Sequence, residues 1–374
     1  MSKDAKKVIV SVTNDLVGDH RVHKVSASLS KMGFDVLLVG RKLKRSIPVV
    51  RAYKTKRLNL LFKKSAFFYA EYNFRLFLIL LFRKVDVYLS NDLDTLPANY
   101  LASLIRKKEL VFDSHEYFTE VPELVNRPKV KRIWEKIEKR ILPKIEHTYT
   151  VCRSIADVYN KKYGVNMKVI RNIPEYDPYT ENEVPEIEKM FSGIRIILYQ
   201  GSVNIGRGLE EVIDAMNYIE NAVFLIIGDG DIKKTLEEKV IESNLKDKVH
   251  FAGKIPFSGL KAYTKYAHIG ISLEKNIGLN YYYALPNKLF DYIHAGVPVL
   301  TSRLPEIERI VDEYGIGIFI ENHEPEHIAE RIRFMLNSND DYSLFKNNTK
   351  KAAVELCWEN EEKVLKDIFK QFID

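Results

Sequence analysis

The sequence alternates between short apolar runs and segments of helical periodicity, and this alternation restricts the possible folds. Residues 7–12 form an apolar run, a glycine-containing loop follows, and apolar residues recur at helical spacing over 22–32 before the run at 34–39. A strand, a helix and a second strand in this order form a βαβ unit of a parallel sheet. The same alternation starts again at Ile194. The pattern predicts an α/β protein with two doubly wound, Rossmann-like domains.

Length and composition place the boundaries of these domains. At 374 residues, the chain exceeds the size at which a single hydrophobic core keeps growing. Residues 175–193 are acidic and proline-containing without a sustained period, which is typical of a linker. We therefore expect a first domain over 1–174 and a second over 194–357. Residues 358–374 form an amphipathic helix that we expect to pack back on the first domain.

The charge is distributed unevenly along the chain. The formal net charge is +7, but the first 174 residues carry 35 Lys and Arg against 17 Asp and Glu, which leaves 23 against 34 in the remainder. Ten of the cations lie between Arg41 and Lys64, where no acidic residue occurs. Such a basic surface suits an anionic membrane, a phosphorylated substrate or a nucleic acid. Because the basic run lacks a recognised RNA-binding module, no nucleic acid partner is expected.

The segment after the basic run is rich in aromatic residues, with seven Phe and Tyr between 67 and 82. Its longest apolar run, residues 76–82, is far shorter than the ~20 residues that span a bilayer. Two alternatives remain open, a helix in a membrane interface and a helix packed beside the sheet. The first would make residues 41–84 a contact with an anionic membrane surface.

The termini and the cysteines indicate a compartment. Met1 to Lys7 contains no apolar signal segment, and Cys152 and Cys357 are too far apart in sequence to suggest a disulfide framework. We expect a cytoplasmic protein that is peripheral on the inner face of the membrane.

Titratable residues of the first half follow its predicted strands. Gly18, His20 and Arg21 lie at the first strand–helix loop, where His20 and Arg21 are placed to contact an anion and Asp19 is placed to cap the helix.

Two further candidates of the first half follow later strands. Asp92 and Asp94 form an Asp-x-Asp, which either holds a divalent metal or caps a helix over 98–105; we favour capping because no further ligand cluster lies nearby. His115 follows the next strand, at the sheet edge where open α/β folds bind ligands. It is predicted to contact an anionic or hydroxylated substrate, or to act as an acid or base near neutral pH.

The second half carries a predicted phosphate site. The loop from Gly201 to Gly208 consists largely of small residues and contains Arg207. Residues 253–256 form a turn at a strand end, where backbone groups are able to read a flat heterocycle. Tyrosines 281–283 either wall a sugar pocket or pack between the domains.

One helix of the second half has unusually clear boundaries. Pro286 suits its first turn and Gly296 its C-cap. The free N–H groups of its first turn, together with Lys288, predict an anion site. Asp291, one turn further on, is placed to accept hydrogen bonds from the paired hydroxyls of a ribose. The alternative is an ordinary αβ unit with surface charges.

The order and spacing of these motifs resemble the family-4 retaining glycosyltransferases of the GT-B fold. The resemblance covers nearly the whole chain. The residues that carry it are Asp19-His20-Arg21-Val22, Gly33-Phe34-Asp35-Val36, Asp113-Ser114-His115-Glu116, Asn172, Gly201-Ser202 with Arg207, Gly228-Asp229-Gly230 and Pro286-Asn287-Lys288-Leu289-Phe290-Asp291-Tyr292.

This resemblance implies transfer of a sugar from a nucleotide-diphosphate sugar to a glycan or lipid-linked acceptor of a cell-surface pathway. It implies retention of anomeric configuration, two domains facing across a cleft, and no bound metal or other cofactor. Three residues would be catalytic: Arg207 and Lys288 at the diphosphate and His115 at the transferred sugar. The implied donor-binding residues are Gly201, Ser202, Arg207, Gly253, Ile255, Asn287, Lys288 and Asp291. The candidates for acceptor or cleft contacts are Gly18, His20, Arg21 and Tyr283.

One departure from the family pattern concerns the donor sugar. The family often has two glutamates separated by seven residues, and here Tyr283 and Asp291 occupy those positions. Other functional classes also remain open. A nucleotide-sugar epimerase or hydrolase shares the architecture, and a non-catalytic membrane- or RNA-binding protein would use the basic half alone.

Overall fold

The computed structural model describes residues 5–44, 46–177, 189 and 191–373. Its internal contacts divide the chain into two units, Met1–Asn172 with Glu361–Asp374, and Ile173–Asn360. Within the linker predicted over 175–193, residues 178–188 and 190 lie outside the described residues. Each unit contains one sheet in which all strand pairs are parallel.

The first unit is a seven-stranded sheet with the order β3-β2-β1-β4-β5-β6-β7. Its strands are β1 (Lys7–Ser11), β2 (Asp35–Arg41), β3 (Lys54–Leu58), β4 (Val87–Asn91), β5 (Glu109–Ser114), β6 (His147–Thr150) and β7 (Lys168–Val169). Its helices are α1 (His20–Lys31), α2 (Ser65–Phe82), α3 (Asp92–Arg106), α4 (Pro122–Val125), α5 (Pro128–Ile141) and α6 (Arg153–Tyr163).

The second unit is a six-stranded sheet with the order β10-β9-β8-β11-β12-β13. Its strands are β8 (Arg195–Gln200), β9 (Ala222–Ile227), β10 (Val249–Gly253), β11 (Ile269–Ser272), β12 (Val299–Ser302) and β13 (Gly317–Ile320). Its helices are α7 (Leu209–Ala215), α8 (Lys233–Glu242), α9 (Phe257–Lys265), α10 (Leu279–Tyr282), α11 (Asn287–Ala295), α12 (Pro305–Tyr314), α13 (Pro325–Asn337) and α14 (Asn339–Glu355).

Helices cover both faces of the second sheet. Successive residues of a strand point to opposite faces, and alternate residues of β8 and β9 accordingly fall into two separate apolar clusters. One cluster includes residues of α7, α8 and α13, and the other includes residues of α11, α12 and α14. Two parallel sheets with flanking helices confirm the predicted α/β fold with two doubly wound domains.

The last helix, α15 (Trp358–Phe369), crosses from the second unit into the first. Glu361 accepts hydrogen bonds from the guanidinium and the backbone N–H of Arg171, at 2.6–2.9 Å. Phe369 packs edge-on against Phe34, with ring centroids 6.0 Å apart. The chain end is therefore part of the first unit's core.

Helix α3 starts six residues earlier than predicted, directly at the end of β4. Asn91 is its N-cap residue but makes no side-chain capping bond, since its side-chain oxygen faces His115 Nε2 at 3.1 Å and its amide donates to the Ser11 carbonyl. Asp92 accepts from the backbone N–H of His115 and Asp94 accepts from the Thr13 hydroxyl, at 2.8 and 2.6 Å. The capping role favoured for these two aspartates is therefore wrong, because both carboxylates bind neighbouring strand ends.

Candidate active site

The loops after β8, β9 and β10 are in close contact. The Gly201 N–H donates to the Ile227 carbonyl, and the Gly228 N–H donates to the Gly253 carbonyl, both at 2.9 Å. A side chain on Gly228, whose φ is +152°, would bring its Cβ to 1.8 Å from the Gly201 carbonyl oxygen. Only glycine therefore fits there. The phosphate-site candidates Gly201 and Ser202 are exposed at this edge.

A second glycine fixes the position of Arg207. Gly208 has a φ of +73°, and a Cβ there would lie 2.5 Å from the Leu273 carbonyl oxygen, so the loop is pressed against the end of β11. The Arg207 guanidinium then lies over the ring of Tyr281, at 4.9 Å from its centroid. The side chain is 24% exposed, and its Nε is buried without a hydrogen-bond partner.

Arg207 and Lys288 converge on one carboxylate, that of Glu274. Lys288 Nζ lies 2.7 Å and an Arg207 terminal nitrogen 3.4 Å from Glu274 Oε1. The other carboxylate oxygen, Oε2, accepts from the Ser272 hydroxyl at 2.7 Å. Glu274 is fully buried. The structure thus brings together the two cations predicted from sequence and adds an acid between them.

The charge of this cluster is not balanced. Burial raises the pKa of Glu274, but Lys288 and Arg207 outweigh it and leave that pKa below its usual range. The ionised carboxylate then neutralises only one of the two cations. Lys288 is buried over the ring of Tyr199, with Nζ 4.1 Å from the centroid, which keeps the side chain in place. The Gly201 amide, predicted to hold the diphosphate, is not free, because it donates to the Ile227 carbonyl. Surplus positive charge beside the uncapped N-terminus of a helix is nevertheless an arrangement that binds anions.

Lys288 also stands at the N-terminus of α11. Pro286 is the N-cap residue and supplies no side-chain capping bond, so the first-turn N–H groups have no side-chain cap. Asn287 is the exposed first residue of this helix, and Gly296 closes it with a φ of +74°. The helix therefore ends as predicted and begins one residue later than predicted, because Pro286 is its N-cap rather than part of its first turn.

Asp291, the predicted ribose contact, belongs to a polar network with β8. The Gln200 amide donates to Asp291 Oδ2 at 2.8 Å, and its carbonyl accepts from the Thr264 hydroxyl at 2.7 Å. These three side chains help to line a small, partly open pocket between α9 and α11. The network fixes the side chain of Gln200 between the two helices.

The remaining donor candidates lie near the same edge of the sheet. Gly253 ends β10 in the left-handed region, with a φ of +69°, and Ile255 packs partly buried against the core. Tyr283 follows the short α10 and its ring is tilted against that of Tyr282, with centroids 5.2 Å apart.

The first unit contains its own buried ion cluster at the ends of β1, β4 and β5. The Arg21 guanidinium makes three hydrogen bonds of 2.7–3.2 Å to Asp113 and a fourth to the Ile170 carbonyl. Arg21 is 3% exposed and Asp113 is fully buried. The prediction that Arg21 contacts an acceptor is therefore wrong, because every guanidinium nitrogen is committed inside the unit.

His115 is held between acidic groups. Its Nε2 lies 3.2 Å from Asp113 Oδ2 and 3.1 Å from Asn91 Oδ1, and its Nδ1 lies 3.3 Å from Asp92 Oδ2. Burial lowers the pKa of His115, but Asp92 and Asp113 outweigh it and raise that pKa to about 10. The imidazole is therefore cationic at neutral pH. This makes it a hydrogen-bond donor and argues against the alternative role of acid or base near neutral pH.

The neighbouring carboxylates differ in protonation. Burial raises the pKa of Asp92 to about 7 and that of Asp94 to about 6. Burial raises the pKa of Asp113 as well, but Arg21 and His115 outweigh it and keep that pKa below the usual range.

Within the described residues, no group of three or more His, Cys, Asp or Glu has the arrangement of metal ligands. Metal independence stays a prediction.

The other two first-unit candidates lie at the surface. Gly18 and His20 are exposed at the start of α1, and the carboxylate of Asp19 accepts from the Val22 N–H as the predicted cap. Their acceptor role stays a prediction.

Sequence reasoning missed Glu274 and the use of Asp113. Glu274 directly follows the apolar run 269–273, at the sheet edge where two cations had been assigned. An acid in that position was the available signal. Asp113 was part of a motif that carries the family resemblance. Its pairing with Arg21 joins residues 92 positions apart, so no local sequence pattern indicates it.

Two family models match the chain. "Glycosyltransferase Family 4" matches residues 20–174 and "Glycosyl transferases group 1" matches residues 181–352. Between them they account for both units.

Relatives of moderate similarity carry glycosyltransferase names. An uncharacterized glycosyltransferase of Methanocaldococcus jannaschii is 27% identical over 182 residues, which are 47% of this chain and 45% of that protein. A chitobiosyldiphosphodolichol beta-mannosyltransferase of Debaryomyces hansenii is 22% identical over 67% of this chain and 59% of its own length. The chain thus spans about half the length of these relatives.

Solved structures share the fold over nearly the full length. Sucrose-phosphate synthase from Thermosynechococcus elongatus superposes with a TM-score of 0.80 at 16% identity, over 98% of both chains. Anabaena HepE in complex with UDP-glucose superposes with a TM-score of 0.76 at 12% identity, over 98% of this chain and 99% of that one.

Proposed function

Because the chain belongs to the family-4 glycosyltransferases of the GT-B fold, we propose that it moves a sugar from a nucleotide-diphosphate sugar to an acceptor of a cell-surface glycan or glycolipid pathway. We further propose that the transfer retains the anomeric configuration and needs no metal ion. A related fold solved with UDP-glucose supports the nucleotide-sugar donor.

The observation that carries this proposal is the surplus cation around Glu274. Cleavage of a nucleotide-diphosphate sugar leaves negative charge on the departing diphosphate. Arg207 and Lys288 are fixed at one point by Glu274, next to the exposed Ser202 and the N-terminus of α11. Fixed cations and amides stabilise developing charge without reorganising during the reaction. They would also supply charge stabilisation that a metal provides in other transferases.

The geometry of the donor site suggests positions for the nucleoside. Asp291 lies one turn after Lys288 on α11, where its carboxylate would accept from ribose hydroxyls. The turn from Gly253 to Ile255 follows a strand end whose backbone contacts the phosphate loops, and it would read the base. Asn287 and Tyr283 complete the proposed donor contacts.

His115 is the proposed first-unit contact with the transferred sugar. With a pKa of about 10, it is cationic at neutral pH rather than a proton acceptor, and its ring nitrogens are engaged with Asn91, Asp92 and Asp113. We propose that it acts through its positive charge, which would favour the negative charge that develops on the departing diphosphate. Gly18 and His20 stay the candidates for acceptor contacts.

The acceptor is proposed to be a glycan or lipid-linked molecule at the inner face of a membrane, with the protein cytoplasmic and peripheral. The excess of Lys and Arg in the first 174 residues supports an anionic surface as partner.

The test begins with ligand binding. Nucleoside diphosphates and nucleotide sugars are screened by thermal unfolding, because a ligand that binds only the native state raises its stability. The best donor is then supplied with membrane lipid extract, and release of nucleoside diphosphate is measured. Arg207→Ala and Lys288→Ala should each lower turnover by about 10² to 10³-fold.

Lys234→Ala is the matched control, because this lysine is an exposed residue of the same unit. It should leave turnover unchanged. Wild-type rates for Arg207→Ala and Lys288→Ala would contradict the assignment. Complete consumption of donor without any acceptor would instead identify a hydrolase or epimerase of the same architecture.

A further inference from the structure

Helix α2 of the first unit is apolar on both of its faces. Phe68, Tyr72, Leu76 and Leu80 recur at a spacing of four residues and are buried against the unit. The opposite side carries Phe67, Phe74, Leu78 and Phe82, of which the three phenylalanines are 67%, 63% and 78% exposed. A helix that is apolar all round is normally buried in a core or in lipid. Here one side has no cover from the described residues of the chain.

The neighbouring helices also expose apolar side chains. Helix α3 packs along α2 and exposes Leu101, Leu104 and Ile105 one turn apart. Helix α5 contacts α3 and exposes Val130 and Ile133. We define these exposed side chains of α2, α3 and α5 as the apolar face. Single exposed leucines are ordinary, but such a row of bulky residues on adjacent helices marks an interaction surface.

Cations border the apolar face. Lys63 and Lys64 precede α2, Arg83 and Lys84 follow it, and all four are exposed. Helix α3 ends with Arg106 and the exposed Lys107, and α5 carries the exposed Lys129, Arg132 and Lys136 around Val130 and Ile133. The only charged residues inside α2, Glu71 and Arg75, pair with each other at 2.7 Å. Apolar side chains rimmed by cations are complementary to a bilayer with anionic headgroups.

The basic run before α2 contributes less free positive charge to the surface than its composition suggests. Lys54 pairs with Asp35, Arg57 pairs with Asp15, and the Arg41 guanidinium lies over the ring of Phe68. These cations are partly neutralised within the unit. The expected contact through residues 41–84 therefore shifts towards α2 and its neighbours.

We propose that the apolar face of α2, α3 and α5 inserts into one leaflet of an anionic membrane, with α2 parallel to the membrane plane. Helix α2 is long and apolar enough to cross a bilayer by length and composition, which is weak evidence for a span. It is also tied into the unit, because the Tyr72 hydroxyl donates to the Val12 carbonyl and Asn73 donates to the Asp94 carbonyl. A helix held in this way presents its outer side to lipid without leaving the fold.

This inference rests on the proposed function, because an acceptor at a membrane is part of that proposal. Its test uses no sugar donor, so that it can fail independently of transferase activity. Wild-type protein is sedimented with phosphatidylcholine vesicles that contain or lack phosphatidylglycerol. The combined variant Phe67→Ser, Phe74→Ser and Phe82→Ser should bind anionic vesicles roughly a thousandfold more weakly, because each phenylalanine removed from water contributes on the order of tenfold. Replacing Lys63, Lys64, Arg83 and Lys84 by Glu should also abolish binding.

The matched controls lie on the second unit. Ile241, Leu344 and Val354 are exposed there, and their replacement by Ser should leave vesicle binding unchanged, as should Lys234→Glu with Lys246→Glu. Circular dichroism confirms that each variant is folded. Equal binding by wild type and the triple phenylalanine variant would overturn the proposal. So would wild-type protein that ignores vesicles but forms a dimer which the triple variant loses.

Insertion is separated from surface adsorption by a fluorescent probe. The two native tryptophans, Trp134 and Trp358, are buried, so a tryptophan placed at an exposed site gives a distinct signal. Phe74→Trp should shift its emission to the blue on vesicle addition and be quenched by brominated lipid, whereas Leu344→Trp should show neither change. An unquenched Phe74→Trp on bound protein would show that the apolar face stays outside the lipid and would overturn insertion.

Discussion

The two units each bury a carboxylate between two cations, but they balance charge differently. In the first unit, Asp113 binds Arg21 and His115, and Asp92 supplies a further carboxylate on the other side of His115. In the second unit, Glu274 alone faces Arg207 and Lys288. The first cluster is closed and has its cations matched by acids. The second retains a net positive charge and a buried guanidinium nitrogen without a partner.

This difference separates a cluster with all its cations paired from the proposed binding site. A buried charge is tolerated when it is paired and hydrogen-bonded, and all nitrogens of Arg21 meet that condition inside the fold. Arg207 meets it only in part, through one long contact and the face of Tyr281. An incoming anion therefore improves the solvation of the second cluster, whereas it has no place in the first.

The largest expected effect is the loss of the closed pair in the first unit. Asp113→Asn leaves Arg21 charged and buried without its counter-ion, which should lower the free energy of unfolding by about 3 to 5 kcal/mol. Chemical denaturation measures this change. The loss should persist in the presence of diphosphate or any nucleotide, because Arg21 is shielded from solvent.

Asp177→Asn serves as the control for Asp113→Asn, because Asp177 pairs with Lys261 at the surface. Exposed pairs of this kind contribute at most about 1 kcal/mol. A loss of similar size for both aspartates would show that the Arg21 pair is not the closed structural cluster described above.

A smaller effect concerns the pH dependence of the first unit. The pKa of His115 is about 10 when folded, against 6.5 for the free side chain. The folded protein therefore binds this proton more tightly, so the stabilisation is complete below pH 6.5 and disappears as the pH rises to 10. It should be on the order of 3 kcal/mol, since Asp92, with a pKa of about 7, is still partly protonated at the start of this window.

The measurement for His115 compares unfolding free energies across pH. The wild type should lose its advantage over His115→Gln between pH 6.5 and 10. Parallel profiles for the two proteins over this range would show that Asp92 and Asp113 do not hold a proton on His115.

The closed cluster was also the harder one to predict from sequence. Strand and helix periodicity are local properties, and they gave the two parallel sheets and the end of α11. The pairing of Arg21 with Asp113 depends on β1 and β5 lying on either side of β4, which no local pattern encodes. Arg21 was accordingly predicted to contact an anion or an acceptor, because its loop alone gives no sign of its partner Asp113.

The open cluster was predictable in part, for a physical reason. Arg207 and Lys288 each sit beside a helix N-terminus or a glycine loop, and these local features by themselves favour anions. Glu274 was missed because an acid looks unfavourable in a phosphate site when only the local sequence is considered. The structure shows its effect: it joins the two cations to one point and leaves one positive charge for a ligand.

The smallest predicted effect tests this role of Glu274 most directly. Glu274→Gln keeps an oxygen that accepts from Lys288 but removes the negative charge, so the cluster changes from one surplus cation to two. The variant should lose stability without ligand and regain it with inorganic diphosphate, which would bind about tenfold more tightly than to wild type. Glu238 is an exposed carboxylate of α8, and Glu238→Gln should change neither property.

If Glu274→Gln instead weakens diphosphate binding as much as Lys288→Ala does, the carboxylate acts chiefly by positioning the cations. If diphosphate restores Asp113→Asn equally well, the proposed contrast between a closed and an open cluster is wrong, since only the second cluster has the exposure to accept an anion in place of its acid.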